Sequence, residues 1–389
     1  MKLSIRQSLP TWINVACLFF LLAALILKQT PALAGYLQTT PISFGSTTSG
    51  SINQPGEIDS YTFTANSGDY VLIGISRVSG DLWPGVRLYN PDGALLLDKS
   101  NPVHVEISQE LRNLHKVYLP LSIRGLANSP DRNTAAPSPH LSIVANVPGT
   151  YTILVSDGFN GTKTGSYNLF LQKLNPPVGA NNISYSQIIS GSINQPAEMD
   201  AFIFSSAMGD KLIIGMSQVS GNMWQQLRLY DPNGVLLHEV KHPVHTEIIY
   251  DIQNTGDYVL LASDGFNGIY TGSYNIYLQR RVNPTNATVI TFGQTTAGSI
   301  NQPAEMDSFT FSAKANDQIR VLMTSISGDL WQQIRLYDPA GTLLNENTGV
   351  NQAEITRVLP VDGDYTILAS DGFNGTKTGS YNISLQKLP

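Results

Sequence analysis

Apolar and polar residues alternate with a period of two in short runs along most of the chain. Tyr61 and Phe63, Phe202 and Phe204, and Phe309 and Phe311 place aromatic rings on one side of a run, with Ser, Thr or Ile between or beside them. Ile334-Arg335-Leu336-Tyr337 alternates likewise and runs into Asp338-Pro339-Ala340-Gly341, with Asp231-Pro232-Asn233-Gly234 as its counterpart. Proline presets φ at the second turn position and glycine accepts a positive φ at the last, so these tetrads read as turns. No convincing amphipathic helix interrupts the pattern. About eight short strands per unit, with turn signals every 8–12 residues, predict an all-β fold of jelly-roll-like antiparallel β-sandwiches.

The runs recur as a block. Ser51-Ile52-Asn53-Gln54-Pro55 returns at Ser192 to Pro196 and at Ser299 to Pro303, and Trp83, Trp224 and Trp331 keep the same spacings of 141 and 107 residues. Asp157-Gly158-Phe159-Asn160-Gly161 returns at Asp264 and Asp371, now with 107 residues in both steps. The difference of 34 residues marks an insertion in the first copy, roughly at 110–140. Val117 to Ile123 and Leu141 to Val144 flank its Pro-rich tip and are candidates for an extra hairpin. A period of about 100 exceeds the 20–50 residues of a solenoid repeat, and each unit is long enough to bury its own core. The expected division is a leader at 1–34, then sandwiches at 36–175, 182–281 and 288–389. Short junctions containing Pro176, Pro177 and Pro284 stiffen the connections. The organisation expected is beads on a semi-rigid string.

The leader changes the chemistry available. Lys2 and Arg6 precede a nearly apolar run from Ile13 to Leu27, and Ala32-Leu33-Ala34 has the form of a cleavage site. This is the pattern of a secretory signal peptide cut before Gly35, too short for a comfortable membrane span. The single cysteine, Cys17, leaves with it, so no disulfide, thiolate ligand or thiol nucleophile is expected. Lys2, Arg6 and Lys28 also leave, so 20 basic residues face 29 acidic ones, a net of −9. Nucleic acid and anionic membrane surfaces are poor partners for that charge. Charged residues make up only 13% of the chain, which leaves a coat of uncharged polar side chains.

In the third copy the order is Gly298-Ser299-Ile300, Glu305-x-Asp307-x-Phe309-x-Phe311, Leu336-Tyr337-Asp338-Pro339-x-Gly341, Gly363-x-Tyr365-x-Ile367-Leu368 and Gly379-Ser380-Tyr381-Asn382, with close counterparts in the other two. This resembles the bacterial pre-peptidase C-terminal domain, a jelly-roll-like sandwich appended to secreted peptidases. The resemblance implies a non-catalytic module that aids export or binds insoluble substrate, with calcium used by some collagen-binding relatives. No peptidase domain precedes the copies, which sets the chain apart from that arrangement.

Four sets of side chains are candidates for chemistry. The pairs Glu57/Asp59, Glu198/Asp200 and Glu305/Asp307 share a strand face at i and i+2 and can offer oxygen to calcium; the alternative is a turn acceptor at a strand start. The loop residues Asp157/Asn160, Asp264/Asn267 and Asp371/Asn374 are ligand contacts or a turn scaffold. Loops ordinarily drift faster than strands, so their constancy between copies points to a constraint. Trp83, Trp224 and Trp331 follow polar turns and are either recognition platforms or caps on the sandwich end. His238, His242 and His245 have zinc-ligand spacing, but the third copy has no histidine, which favours incidental, solvent-facing residues. There is no nucleophile elbow and no histidine common to all copies, so no catalytic residue is expected. The leading reading is a secreted or cell-surface binding array for extracellular polysaccharide or protein polymer. The alternatives are a structural spacer and an accessory component of a secreted hydrolase system.

Overall fold

The computed structural model describes residues 38–111, 116–119, 141–144 and 148–389. The leader, including Cys17, and most of the insertion lie outside the described residues. Everything regular that is described is β-strand, arranged as three similar sheet pairs. The sandwich fold expected from the alternation is therefore the fold found. At the insertion, Lys116–Leu119 and Leu141–Val144 pair as antiparallel strands.

The second pair serves as the pattern. One sheet holds, in spatial order, Asn181–Asn182, Met199–Ser206, Gly256–Asp264, Gln225–Tyr230 and Leu236–His242. The other holds Gln187–Ile193, Gly272–Arg280, Lys211–Gly221 and His245–Asp251. All neighbours are antiparallel except the two-residue edge strand, which runs parallel to Phe202-Ile203. Alternation then fixes what faces inward. Phe202, Phe204, Leu212, Ile214, Met216, Leu227 and Leu229 fill the space between the sheets, as expected where one face of each strand meets a partner layer. The first and third pairs have apolar cores built from the corresponding strands.

The residues between those inward positions correct the string-of-beads expectation. Leu72, Phe170 and Leu174, on the outer face of the first four-stranded sheet, join Met199, Tyr230, Val259 and Leu261 on the outer face of the second five-stranded sheet in one buried cluster. Ile213 and Tyr277 meet Met306, Tyr337 and Leu368 in the same way at the second junction. Successive sheet pairs thus pack face against face. The physical reason is that Tyr70–Arg77 and Lys211–Gly221 are apolar on both faces, with unbroken buried stretches; a strand of that kind needs cover on both sides. Each such side chain contributes about 1.5–3 kcal/mol when fully buried, which a Pro-containing linker alone does not supply.

Polar contacts fix the register of the junctions. Arg228 reaches back to Glu106, and Arg335 Nη1 reaches Glu247 at 2.8 Å. Asn168 Nδ2 donates to the Pro196 carbonyl at 3.0 Å, and Asn275 Nδ2 donates to that of Pro303 at 3.0 Å. Glycine at 74 lets the layers approach, because a Cβ there would stand 2.8 Å from Met199 Cε.

Candidate functional site

The strands Gly149–Asp157, Gly256–Asp264 and Gly363–Asp371 each end in the aspartate of the repeated loop. That carboxylate organises the loop. Asp157 accepts from the backbone N–H groups of Thr162 (3.0 Å), Lys163 (3.1 Å), Phe159 (3.3 Å) and Asn160 (3.4 Å). It also accepts from Trp83 N at 3.4 Å, while the Trp83 carbonyl takes Gly158 N–H at 2.8 Å. Asp264 and Asp371 hold Trp224 and Trp331 in the same way, at 2.9 and 3.2 Å. Burial of Asp157 opposes its ionisation, but these N–H donors more than compensate and hold its pKa below the ordinary carboxylate value. Asn160 Oδ1 ties down the Thr162 hydroxyl at 2.5 Å, and Asn267 and Asn374 stand at the same loop position.

This architecture brings the tryptophans to the loop, which sequence separation concealed. Trp83 lies 4.6 Å, centroid to centroid, from Phe159; Trp224 and Phe266 are 5.0 Å apart, and Trp331 and Phe373 are 4.7 Å apart. The indoles are half-buried, but the phenylalanines are 54%, 43% and 41% exposed. Exposed aromatic rings belong to no core, so their recurrence in three copies needs another account. Lys163 and Lys377 stand 5.5 Å over Phe159 and Phe373, anchored to Asp81 and Asp329. In the second copy Tyr270 takes the lysine's place and stacks on Phe266 at 5.4 Å.

The acidic pairs adjoin this end, and their two members do separate work. Glu57 accepts from Asn53 N at 2.5 Å and Gln54 N at 3.0 Å, closing the Ser-Ile-Asn-Gln-Pro turn. Glu198 and Glu305 do the same for their own turns. The next residue-but-one faces the tyrosine of the last strand: Tyr167 donates to Asp59 (2.5 Å), Tyr274 to Asp200 (2.6 Å) and Tyr381 to Asp307 (2.5 Å). Burial raises the pKa of Asp200 and Asp307, and the tyrosine hydroxyls partly offset it. The glycine of Gly-Ser-Ile belongs to the same unit, since a Cβ at Gly191 would collide with the Tyr274 ring at 2.3–2.4 Å. The acidic turn reaches the aromatic loop through backbone bonds from Gly56 N to Gly161 O (2.8 Å), Ala197 N to Gly268 O (2.7 Å) and Ala304 N to Gly375 O (2.8 Å). Turn, loop and tryptophan therefore form one end of each sandwich.

The three ends are not equally open. In the first copy a groove of about 390 Å³ runs between Glu57, Arg87, Asp98, Ser100 and the Asp157 to Gly161 loop. In the second, Asn101, His104 and Glu106 of the preceding copy form one wall of a smaller space of about 260 Å³, with Glu239, Asp264 and Phe266 opposite. A Cβ at Gly268 would lie 2.5 Å from His104 Nδ1, and one at Gly375 2.5 Å from His245 Nδ1. The last glycine of the loop thus admits the neighbouring copy's histidine in two of the three copies.

His245 is consequently not solvent-facing, contrary to expectation. Its Nδ1 lies 2.7 Å from Ser217 Oγ, and His104 makes the same contact with Ser76 at 2.7 Å. Burial first, and the Arg335 charge second, lower the His245 pKa to about 4. His238 lies opposite Leu229 on an edge strand, and His242 Nδ1 faces the backbone N–H groups of Val244 and His245. Among the described residues no three His, Cys, Asp or Glu side chains form a metal-binding group. The equivalence of His104 and His245 was visible from the 141-residue spacing, but their role needed the neighbouring sheet.

Fold and site define a repeated β-sandwich module with an aromatic end. Residues 305–387, in the third copy, match the family model of the bacterial pre-peptidase C-terminal domain. The pre-peptidase C-terminal domain of a collagenase from Bacillus anthracis is 20% identical, covering 27% of this chain and 98% of its own, with a TM-score of 0.24. A periplasmic inhibitor of g-type lysozyme from Aeromonas hydrophila is 18% identical over 26% of this chain and 96% of its own, with a TM-score of 0.21. No curated protein matches the chain. Among the described residues no helix is long and apolar enough to cross a membrane.

Proposed function

We propose that the chain is an exported, non-catalytic binding array that engages an extracellular polysaccharide or protein polymer through its three aromatic ends. The observation that carries this reading is the Trp–Phe pair repeated at 4.6–5.0 Å, with each phenylalanine 41–54% exposed. Flat aromatic surfaces set on rigid loops suit sugar faces and proline-rich peptides. Three weak contacts on one packed scaffold gain strength by effective concentration, which favours a polymer over a small ligand. The test is pull-down of the purified chain with insoluble polysaccharides and fibrous proteins, against a variant carrying Phe159→Ala, Phe266→Ala and Phe373→Ala. Binding that disappears in the variant, with an unchanged melting curve, supports the reading; no binding to any polymer, or equal binding by both proteins, sinks it.

The spacer reading is supported by the packed junctions, which order the three sheet pairs whether or not a ligand exists. The family match supports an accessory place beside a secreted hydrolase. Calcium belongs to the proposal as a contact of Glu57/Asp59 and their counterparts; to bind there it must compete with the turn N–H groups and tyrosine hydroxyls these carboxylates already hold. Melting with calcium and with chelator separates the cases, and an unchanged midpoint removes the metal.

A further inference from the structure

The two junctions inside the chain are built to one pattern, and the outer faces at its two ends carry the two halves of that pattern. We propose that the chain associates head to tail with a second copy of itself. The five-stranded outer face of the first sheet pair would seat the four-stranded outer face of another molecule's third pair.

The first half of the pattern is an arginine on the five-stranded face. Arg228 and Arg335 hold these places and are 2% and 11% exposed, whereas Arg87, at the equivalent position, is 37% exposed. Tyr89 and Leu154 stand where Tyr230 and Leu261 are buried, and both are only half-buried. The second half is a glutamate on the four-stranded face. Glu106 and Glu247 receive the two arginines, and Glu354 occupies the same place in the third pair.

An orphaned hydroxyl supports the register independently. At the second junction Gln279 Nε2 donates to Ser308 Oγ at 3.1 Å. Ser60 occupies the place of Ser308 in the first pair; it is 4% exposed, and its Oγ has no hydrogen-bond partner. A buried hydroxyl without a partner is costly, and Gln386 holds the position of Gln279 on the third pair's outer face. Asn382 likewise keeps the position from which Asn168 and Asn275 bond a proline carbonyl, and Pro55 is the equivalent proline.

The sizes also exchange. Internally, Met199 lies over Gly74 and Met306 over Gly215. At the ends the methionine place holds the shorter Ile58, and the glycine place holds Leu322. Two substitutions make the end contact weaker than the internal ones: Leu72 and Ile213 correspond to Arg320, and Phe170 and Tyr277 to Ser384. In the separate chain Arg320 pairs with Glu354 at 2.8 Å and Arg87 with Asp98 at 3.5 Å. Association exchanges these exposed pairs for a covered Arg87–Glu354 pair, so it is reversible and concentration-dependent. Because the two faces differ, the contact does not close on itself and extends into open chains.

Sedimentation velocity of the purified chain from micromolar to millimolar concentration tests this. The expected result is mass that rises with concentration, an affinity lowered at least about tenfold by Arg87→Glu and by Glu354→Arg separately, and recovery when the two variants are mixed. Both positions are exposed, and circular dichroism verifies that each variant is folded. A monomer at every concentration overturns the proposal, as does association that survives Arg87→Glu. Loss with Arg87→Glu but not with Glu354→Arg overturns it too, because it identifies a head-to-head dimer.

Discussion

Arg335 of the third sheet pair holds Glu247 of the second at 2.8 Å across the junction, and Arg228 holds Glu106 in the same place one junction earlier. Truncating Arg228, whose side chain is 2% exposed, leaves a buried cavity and takes the counterion from Glu106, which is 28% exposed. Arg228→Ala is expected to cost about 3–5 kcal/mol, while Arg228→Met with Glu106→Gln should cost much less. Chemical denaturation checks this, and a single-mutant loss below about 1 kcal/mol would show that the pair does not tie the junction.

Gly74 is expected to accept a methyl only if the end of Met199 moves aside. Gly74→Ala places a methyl 2.8 Å from Met199 Cε, the flexible tip of that side chain, and should destabilise by about 1 kcal/mol. Adding Met199→Val should recover much of the loss. At Gly215 the same methyl meets Met306 at 3.4 Å, so its effect is smaller. Equal losses at the two glycines would contradict the packing described.

Acid should loosen both junctions. His245 has its pKa lowered from 6.5 to about 4 by burial and then by Arg335. Burial raises that of Glu106, but Arg228 and His104 outweigh it and bring it from 4.5 to about 2. Between pH 6.5 and 4 the unfolded chain takes up the His245 proton first; between 4.5 and 2 it takes up the Glu106 proton first. Both intervals therefore lose stability as pH falls, by up to about 3 kcal/mol for each group. His245→Gln should flatten the upper interval, and an unaltered slope there would exclude this histidine as the cause.

Asp264 should matter more for the loop than any aromatic ring. Asp264→Ala leaves the N–H groups of Trp224, Phe266, Asn267, Ile269 and Tyr270 without their acceptor, an expected loss of at least about 2 kcal/mol. Phe266→Ala, at an exposed ring, should stay within about 1 kcal/mol. Melting midpoints decide between them, and the reverse order would refute the scaffold role assigned to Asp264.

Alternation made the sandwich legible, because Phe202 and Phe204 could share a face only in a strand. The junctions were less legible, though their signal was present. Leu212-Ile213-Ile214-Gly215-Met216 is apolar without a break, whereas Ile319-Arg320-Val321-Leu322-Met323 is interrupted by a charge. A single-faced reading attends to Leu212, Ile214 and Met216 and leaves Ile213 unexplained; its partner, Tyr337, lies more than a hundred residues away. The acidic pairs were visible as strand neighbours, but their separate duties depend on Tyr274 and the Asn194 turn, which only folding brings close. The meeting of Trp224 with Phe266 was hidden for the same reason: it depends on antiparallel pairing of Gln225 with Asp264.

The second sheet pair carries both halves of the junction, with Met199 and Arg228 on one face and Gly215 and Glu247 on the other. It is therefore an interchangeable tile. Duplicating it in place would bring together two faces that each already serve in a junction, so the molecule can be lengthened without inventing a new surface.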